Sequence, residues 1–324
     1  MKISAVIVTF NKKKDLLLAI ESILEQTRSV EEIIIIDNNS SDGTEKMLAS
    51  KGMISNGRDY TYSKTSKTSK TSKTSKTSKT IEAYIYYKNT KANLGGAGGF
   101  CLGQKIAMER GAELIWFFDD DAVCRTNTLE NLYNALNSNV CDIVNPLVLD
   151  IDDPAILSFG LSANIMSKDS AKKNAGKEGL ILDLANPFNG TLFRTEIIKT
   201  IGLVKSEMFI WGDETEYMKR AEHYGLRIGT VVDAEVLHPK TQTKYDQFMF
   251  GLYRMEVKPK RLKMNYYRNR AYIAMKYEKG VSRYKFLIKG IVYFICKRNF
   301  SELFEFLKYY LDGYFDRYKL PSLR

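Results

Sequence analysis

The sequence predicts an α/β fold built on a mainly parallel sheet, and three stretches carry that prediction. Residues 3–9, 32–36 and 114–118 are apolar runs without polar alternation, the pattern of strands buried on both faces of a parallel sheet. Each ends on polar or acidic residues: Thr9, Asp37, and the triplet Asp119-Asp120-Asp121. Open parallel sheets bind ligands at the carboxyl ends of their strands, so these three ends are where chemistry is expected.

In chain order, residues 3–9 form the first strand. Asn11 is placed to cap a helix over 13–26, whose Leu16, Leu17, Ile20, Ile23 and Leu24 recur at helical spacing. The second strand runs into Asp37-Asn38-Asn39-Ser40-Ser41-Asp42, where Asp37 suits a ribose or base contact and Ser41 or Asp42 suits capping the next helix. Residues 81–87 make a third strand, leading to Asn93-Leu94-Gly95-Gly96-Ala97-Gly98-Gly99-Phe100. Glycines before a helix let phosphates approach backbone N–H groups at its positive end, and they equally suit a tight strand–helix turn. No GKS or GKT follows, so this is not a P-loop. After the acidic strand come a helix over 128–136, a strand over 142–148 and an irregular region over 150–186. Within that region the basic run 168–177 reads as an exposed loop. Asn186-Pro187-Phe188-Asn189-Gly190-Thr191 suits a sugar pocket or an ordinary turn. A helix over 194–201, a strand over 227–232 and a segment 234–237 complete this part.

Two of these stretches carry acid. In a strand successive side chains alternate faces, so Asp119 and Asp121 project to one side and Asp120 to the other. Carboxylates converging at a strand end repel unless a cation lies between them, and a divalent metal bridging to a diphosphate meets that demand. An acidic loop capping the next helix is the plainer account. The second stretch is Phe209-Ile210-Trp211-Gly212-Asp213-Glu214-Thr215-Glu216, where acids open a helix beside an indole able to stack a sugar ring under a general base. Of two histidines, His223 falls inside that helix as a packing or surface residue. His238 stands at the end of an element, where a further metal ligand is supplied.

Composition narrows the classes. A chain of 324 residues with 44% hydrophobic residues supports one large core plus an appendage. No apolar run is long enough to cross a bilayer, and the first residues read as a strand rather than a signal peptide. Cys101, Cys124, Cys141 and Cys296 are widely spaced, which disfavours a zinc ribbon or disulfide framework and suits a reducing compartment. The net charge is +11, but residues 63–80 are six Ser-Lys-Thr copies; without their six lysines it is +5. That tract is expected to be a flexible loop inserted in the domain. It lacks the interleaved aromatics of nucleic-acid binders, so no nucleic-acid partner is expected.

Taken in order, residues 5–11, 37–40, 93–100, 118–121, 209–214, His238 and Tyr266-Tyr267-Arg268-Asn269-Arg270 resemble the inverting, metal-dependent glycosyltransferases of the GT-A fold, family 2. Within that family the chain is most similar to the bacterial galactofuranosyltransferases, over residues 1–275. The resemblance implies a Rossmann-like mixed, mainly parallel sheet flanked by helices (residues 1–260) and a C-terminal helical extension (261–324). It implies Mn²⁺ or Mg²⁺ held by Asp119, Asp121 and His238, with Thr9, Asp37, Asn93, Gly95, Gly96 and Asp120 along the nucleotide of a UDP-sugar donor. Asp213 or Glu214 would be the general base. The choice stays open because Gly212 separates Trp211 from an acidic pair that in the family often follows tryptophan directly. The Ser-Lys-Thr tract is an addition to the family pattern.

The implied activity is transfer of galactofuranose from UDP-galactofuranose to a glycan or lipid-linked glycan acceptor in bacterial surface polysaccharide synthesis. A dTDP-rhamnose-dependent rhamnosyltransferase is the rival enzyme. A non-catalytic nucleotide-sugar or glycan-binding module is the rival of another class. From Tyr266 onward aromatic and basic residues interleave, and residues 284–298 have a short apolar middle between lysines. Such a helix can lie on an anionic membrane surface or pack within a helical subdomain or homo-oligomer. The expected location is cytoplasmic, peripheral on the inner face of the cell membrane.

Overall fold

Buried β-branched and aromatic runs pair in parallel at the centre of the first part of the chain. β1 (Ile3–Thr9) lies between β2 (Glu32–Asp37) and β5 (Leu114–Asp119), with Ala5 opposite Ile33 on one side and Trp116 on the other. Every residue of β1 and β2 is buried, which explains why neither alternates in polarity. The computed structural model describes residues 1–55, 60–67, 78–176, 178–240 and 243–318. It separates into a first unit of residues 1–94, 99–203 and 226–240 and a second of residues 95–98, 204–225 and 241–324.

In the first unit, α1 (Lys13–Leu24) and α2 (Thr44–Ser50) follow β1 and β2. β3 (Tyr60–Lys67) and β4 (Ser78–Asn89) form an antiparallel pair. α3 (Gly95–Glu109), whose first turn groups with the second unit, precedes β5. Then come β6 (Val123–Cys124), α4 (Thr128–Asn137), β7 (Ile143–Asp150), α5 (Lys168–Asn174), β8 (Leu180–Leu182), β9 (Thr191–Arg194) and α6 (Ile198–Ile201). After α7 (Asp213–His223), β10 (Ile228–His238) ends this unit. The sheet order is β3-β4-β2-β1-β5-β9-β7-β10-β6, with β8 paired to β10. Ile7, Leu16, Ile20, Ile35, Trp116, Phe118, Leu129 and Leu132 share its main core.

Four expectations from sequence are corrected. Asn11 does not cap α1: it sits at φ 56° and accepts from the Ser41 N–H (2.7 Å), while Asp42 accepts from Lys13 N (3.0 Å) at the helix start. The basic run is not a loop but largely α5, opened by a capping box in which Ser167 and Ser170 bond each other's backbone N–H. The segments 227–232 and 234–237 are one strand, β10, with a register irregularity between Val231 and Glu235. Both ends of the Ser-Lys-Thr tract are paired, Lys64 opposite Ile81 and Lys67 opposite Ser78, because an edge strand supplies backbone partners that the repeat cannot find by burying side chains. Residues 68–77 of that tract lie outside the described residues.

The second unit contains α7, the hairpin β11 (Tyr245–Phe248) and β12 (Tyr253–Glu256), and the helices α8 (Lys263–Tyr277), α9 (Lys285–Cys296) and α10 (Phe300–Tyr314). Tyr267, Phe286, Phe294, Phe306 and Tyr310 fill its core. Gly290 permits the close approach of α9 and α10: a Cβ there would fall 2.2 Å from the Phe306 ring. Among the described residues no helix is long and apolar enough to cross a membrane.

Candidate active site

Parallel pairing brings the ends of β1, β2 and β5 to one edge, with Thr9 level with Asp37 and Val8 level with Asp119. β9 runs antiparallel to both β5 and β7, so two reversals restore the direction of β5 in β7 and its parallel neighbour β10. His238, the last residue of β10, therefore reaches the acidic edge from a distance of more than a hundred residues in sequence.

There Asp121 has both oxygens engaged: Oδ1 lies 3.0 Å from His238 Nε2 and Oδ2 2.5 Å from Lys12 Nζ. His238 Nδ1 is 2.6 Å from the Pro239 carbonyl, so Nδ1 carries a proton and Nε2 faces the acids. The Phe159 ring packs 5.0 Å from the imidazole. Burial alone would raise the Asp121 carboxyl, but His238 and Lys12 outweigh it and hold the group well below the usual carboxylate range. His238 mirrors this: burial would lower it, and Asp121 raises it above the ordinary imidazole value.

Asp120 turns the other way. Its Oδ2 accepts from Thr9 Oγ1 (2.8 Å) and Phe10 N (3.2 Å), and its Oδ1 is 3.5 Å from Lys12 Nζ. It is more deeply buried, and desolvation prevails over Lys12 and Thr9, raising its carboxyl. Asp119 donates its backbone N–H to Phe188 O (3.1 Å), and its charge acts on both Lys12 and His238. Strand alternation does not govern Asp120 and Asp121, because β5 ends at Asp119 and the next two residues form a turn. Among the described residues no three His, Cys, Asp or Glu side chains gather into a ready-made metal cage.

Further along the edge, Asp37 is 1% exposed, accepting from Ser40 N (2.8 Å) and from the Tyr87 hydroxyl (2.6 Å). Burial first, and then Asp37, push the Tyr87 hydroxyl far up, which keeps it a donor. Capping of α2 falls to Asp42, which accepts from Thr44 N (3.1 Å). Asn38 Oδ1 accepts from Leu94 N (3.3 Å), joining the loop after β2 to the residue that follows the half-buried Asn93.

The glycine run answers packing demands. A Cβ on Gly99 would lie 2.4 Å from Val8, so this glycine lets α3 approach β1. In the second unit Gly95, at φ +71°, could not carry a Cβ at all, since it would fall 2.0 Å from Phe209 O; that carbonyl accepts from Ala97 N at 3.2 Å.

The loop before α7 takes left-handed backbone at Phe209 (φ 65°), Trp211 (φ 62°) and Gly212 (φ 103°). Asn269, fully buried on α8, donates its amide N–H groups to Met208 O (2.9 Å), Ile210 O (3.1 Å) and Trp211 O (2.9 Å). Neighbouring Arg268 donates to Glu207 O (3.1 Å) and Asn265 Oδ1 (3.0 Å). Arg268 and Asn269 thus hold the loop that precedes Asp213. Asp213 is the first residue of α7, 5% exposed, beside the place a Cβ on Gly96 would take (3.7 Å from Oδ2). Glu214 instead turns back, its Oε2 accepting from Gly212 N (3.1 Å). Lys258 Nζ lies 4.4 Å above the Trp211 ring. His223 packs against Tyr224 and Tyr277, as its place inside the helix implied.

Sequence reasoning passed over Lys12, Tyr87 and Phe159 and gave Asn269 no role. Only Lys12 carried a nearby signal, adjoining the Thr9-Phe10-Asn11 motif.

Comparison with known proteins agrees with this geometry. The model of glycosyl transferase family 2 matches residues 4–58, which contain β1 and β2. The galactofuranosyltransferase GlfT1 of Mycobacterium tuberculosis is 30% identical over 275 residues, 83% of this chain and 81% of the relative. That of Mycolicibacterium smegmatis is 26% identical over 278 residues, 84% and 82%. S. aureus TarS 1–349, solved in complex with UDP, aligns at a TM-score of 0.51 with 15% identity, covering 86% of this chain and 67% of that one. The last shows a shared GT-A fold. With identity to a galactofuranosyltransferase sustained across four-fifths of both chains, and a fold that ends its strands in the acids described, this chain belongs to glycosyl transferase family 2 and is a glycosyltransferase.

Proposed function

We propose that the protein transfers galactofuranose from UDP-galactofuranose, with inversion, to a hydroxyl of a glycan or lipid-linked glycan acceptor. The observation that carries the reading is the convergence of Asp121 and His238, 3.0 Å apart, at the strand edge of a chain 30% identical to GlfT1. A Mg²⁺- or Mn²⁺-type site completed by diphosphate and water needs only one or two protein carboxylates, so these residues fit a metal shared with the donor. Asp121 and His238 would hold it, with Asp119 adding charge, and when bound it neutralises the departing diphosphate. Thr9, Asp37, Asn93, Gly95, Gly96 and Asp120 line the nucleotide in this reading.

Asp213 is the general base. The acceptor oxygen forms its bond to the anomeric carbon as the bond to UDP breaks, and its proton passes to the Asp213 carboxylate, with no covalent sugar–enzyme intermediate. Glu214 is the less favoured candidate, because its Oε2 accepts from the Gly212 N–H. Asp213→Asn is therefore expected to abolish UDP release in the presence of acceptor while UDP affinity persists. Glu214→Gln keeps an acceptor oxygen for Gly212 and should stay active. Full turnover by Asp213→Asn ends the assignment, and turnover with dTDP-rhamnose alone in a donor panel replaces the donor.

The site of action is the inner face of a bacterial membrane, where surface polysaccharide precursors are carried on lipid. Residues 241–324 hold 19 Lys and Arg against 7 Asp and Glu, a net +12, which leaves −1 for the other 240 residues. At the tip of the β11–β12 hairpin Phe250 is 107% and Leu252 76% exposed. α9 buries Phe286, Gly290 and Phe294 while exposing Ile288 and Ile295 beside Lys285 and Lys297. Exposed apolar side chains amid excess cations support docking on an anionic lipid surface.

A further inference from the structure

We propose that Lys12 is the resident counter-ion of the acidic edge, and that a divalent cation binds there only by displacing its ammonium from Asp121. The inference rests on the metal-dependent reading of this site. Three carboxylates crowd the end of β5, and each oxygen of Asp120 and Asp121 has a partner. Asp120 Oδ2 is held by Thr9 and Phe10, and Asp121 Oδ1 faces His238. Asp121 Oδ2 and Asp120 Oδ1 face Lys12, at 2.5 and 3.5 Å.

These partners differ in how easily they leave. Thr9 and Phe10 N are fixed by the strand and its following turn, and His238 is buried and tied to Pro239. Lys12 has a 44% exposed side chain on a flexible four-carbon stem, and its backbone is anchored independently, its carbonyl accepting from Leu16 N at 2.9 Å in α1. The ammonium can therefore swing into water without disturbing the loop. It supplies one positive charge where a metal would supply two, which keeps the cation-free edge neutral enough to stay folded. Metal affinity then reflects a competition that this lysine sets.

The test is Mn²⁺ titration without nucleotide, with the free ion read by electron paramagnetic resonance, on wild type, Lys12→Met, Lys12→Gln and Lys12→Arg. Removing the competing charge should tighten Mn²⁺ binding about ten-fold in Lys12→Met and Lys12→Gln, a figure reduced for the partial exposure of the pair. Lys12→Arg should stay within about three-fold of wild type, since the charge is kept. In EDTA the two neutral variants should melt below wild type and gain more on Mn²⁺ addition. Binding by folded Lys12→Met and Lys12→Gln that is no tighter than wild type overturns the inference and leaves the functional reading intact. Failure of wild type and every variant to take up Mn²⁺, with or without UDP, overturns both.

Discussion

Asn269→Asp is the sharpest probe of the loop that precedes Asp213 in the second unit. The substitution keeps the volume of a fully buried side chain but removes both amide donors, and at neutral pH it turns a carboxylate toward three carbonyls. The two N–H donors, shared among three carbonyls, contribute about 1 kcal/mol net each, and the carboxylate that replaces them adds repulsion of about 1 kcal/mol, so roughly 3 kcal/mol of loop stabilisation disappears. The loop has little reserve, because Phe209 and Trp211 sit in left-handed backbone that costs a non-glycine residue about 1–2 kcal/mol each. If Asp213 acts only from this loop conformation, a deficit near 3 kcal/mol lowers its population, and kcat with it, by about two orders of magnitude. UDP affinity, measured by calorimetry, should change by less than about three-fold, since Thr9, Asp37, Asn93 and Asp120, proposed along the nucleotide, lie in the first unit and Asn269 bonds to none of them. Asn269→Ala should fall between wild type and Asn269→Asp. A kcat for Asn269→Asp within a factor of two of wild type refutes the clamp.

The acidic edge predicts a pH dependence in EDTA. His238 is raised by Asp121, so its contribution is complete below its unfolded value of about 6.5 and is lost as pH climbs through the higher folded value. Asp121 is held low, so its contribution is present above about 3.9 and is lost only in strong acid. The metal-free protein should melt higher at about pH 6 than at about pH 9, and His238→Gln should remove the difference; a flat wild-type profile contradicts the pairing. For the lipid surface, the protein should sediment with phosphatidylglycerol vesicles at low salt and not with phosphatidylcholine alone. Phe250→Ser combined with Leu252→Ser should weaken that binding about ten-fold, and undiminished binding removes the hairpin from the contact.

What the sequence made legible was what local pattern controls. The bounds of β1, the acid-tipped end of β5 and the placement of His238 at an element's end follow from buried runs stopping at polar residues. Part of what escaped was set by partners remote in sequence, and part by side-chain choices within a turn of the helix start. Asp42 rather than Asn11 serves the start of α1 because the loop after β2 folds back 29 residues to reach it. Asn269 holds carbonyls 58 to 61 residues away, and nothing local marks an asparagine within a helix as a clamp. That Glu214 rather than Asp213 turns back to the Gly212 N–H is a side-chain decision that composition leaves open. The helix α5 was hidden because its lysines look like a solvated loop, while a serine pair three residues apart supplies the start.

The β3–β4 pair has a consequence for how this chain tolerates change. Opposite one another lie Tyr60 and Ile85, Thr61 and Tyr84, and Tyr62 and Ala83; beyond them both strands enter the triplet repeat. Sliding one repetitive strand past the other by a whole triplet replaces each residue with its twin, so the repeat is blind to its own alignment. Alignment is imposed from the non-repetitive end of β4, which pairs with β2. Copies of Ser-Lys-Thr gained or lost would enter the chain at the opposite end of β4 from the edge that bears Asp37, and leave that edge untouched.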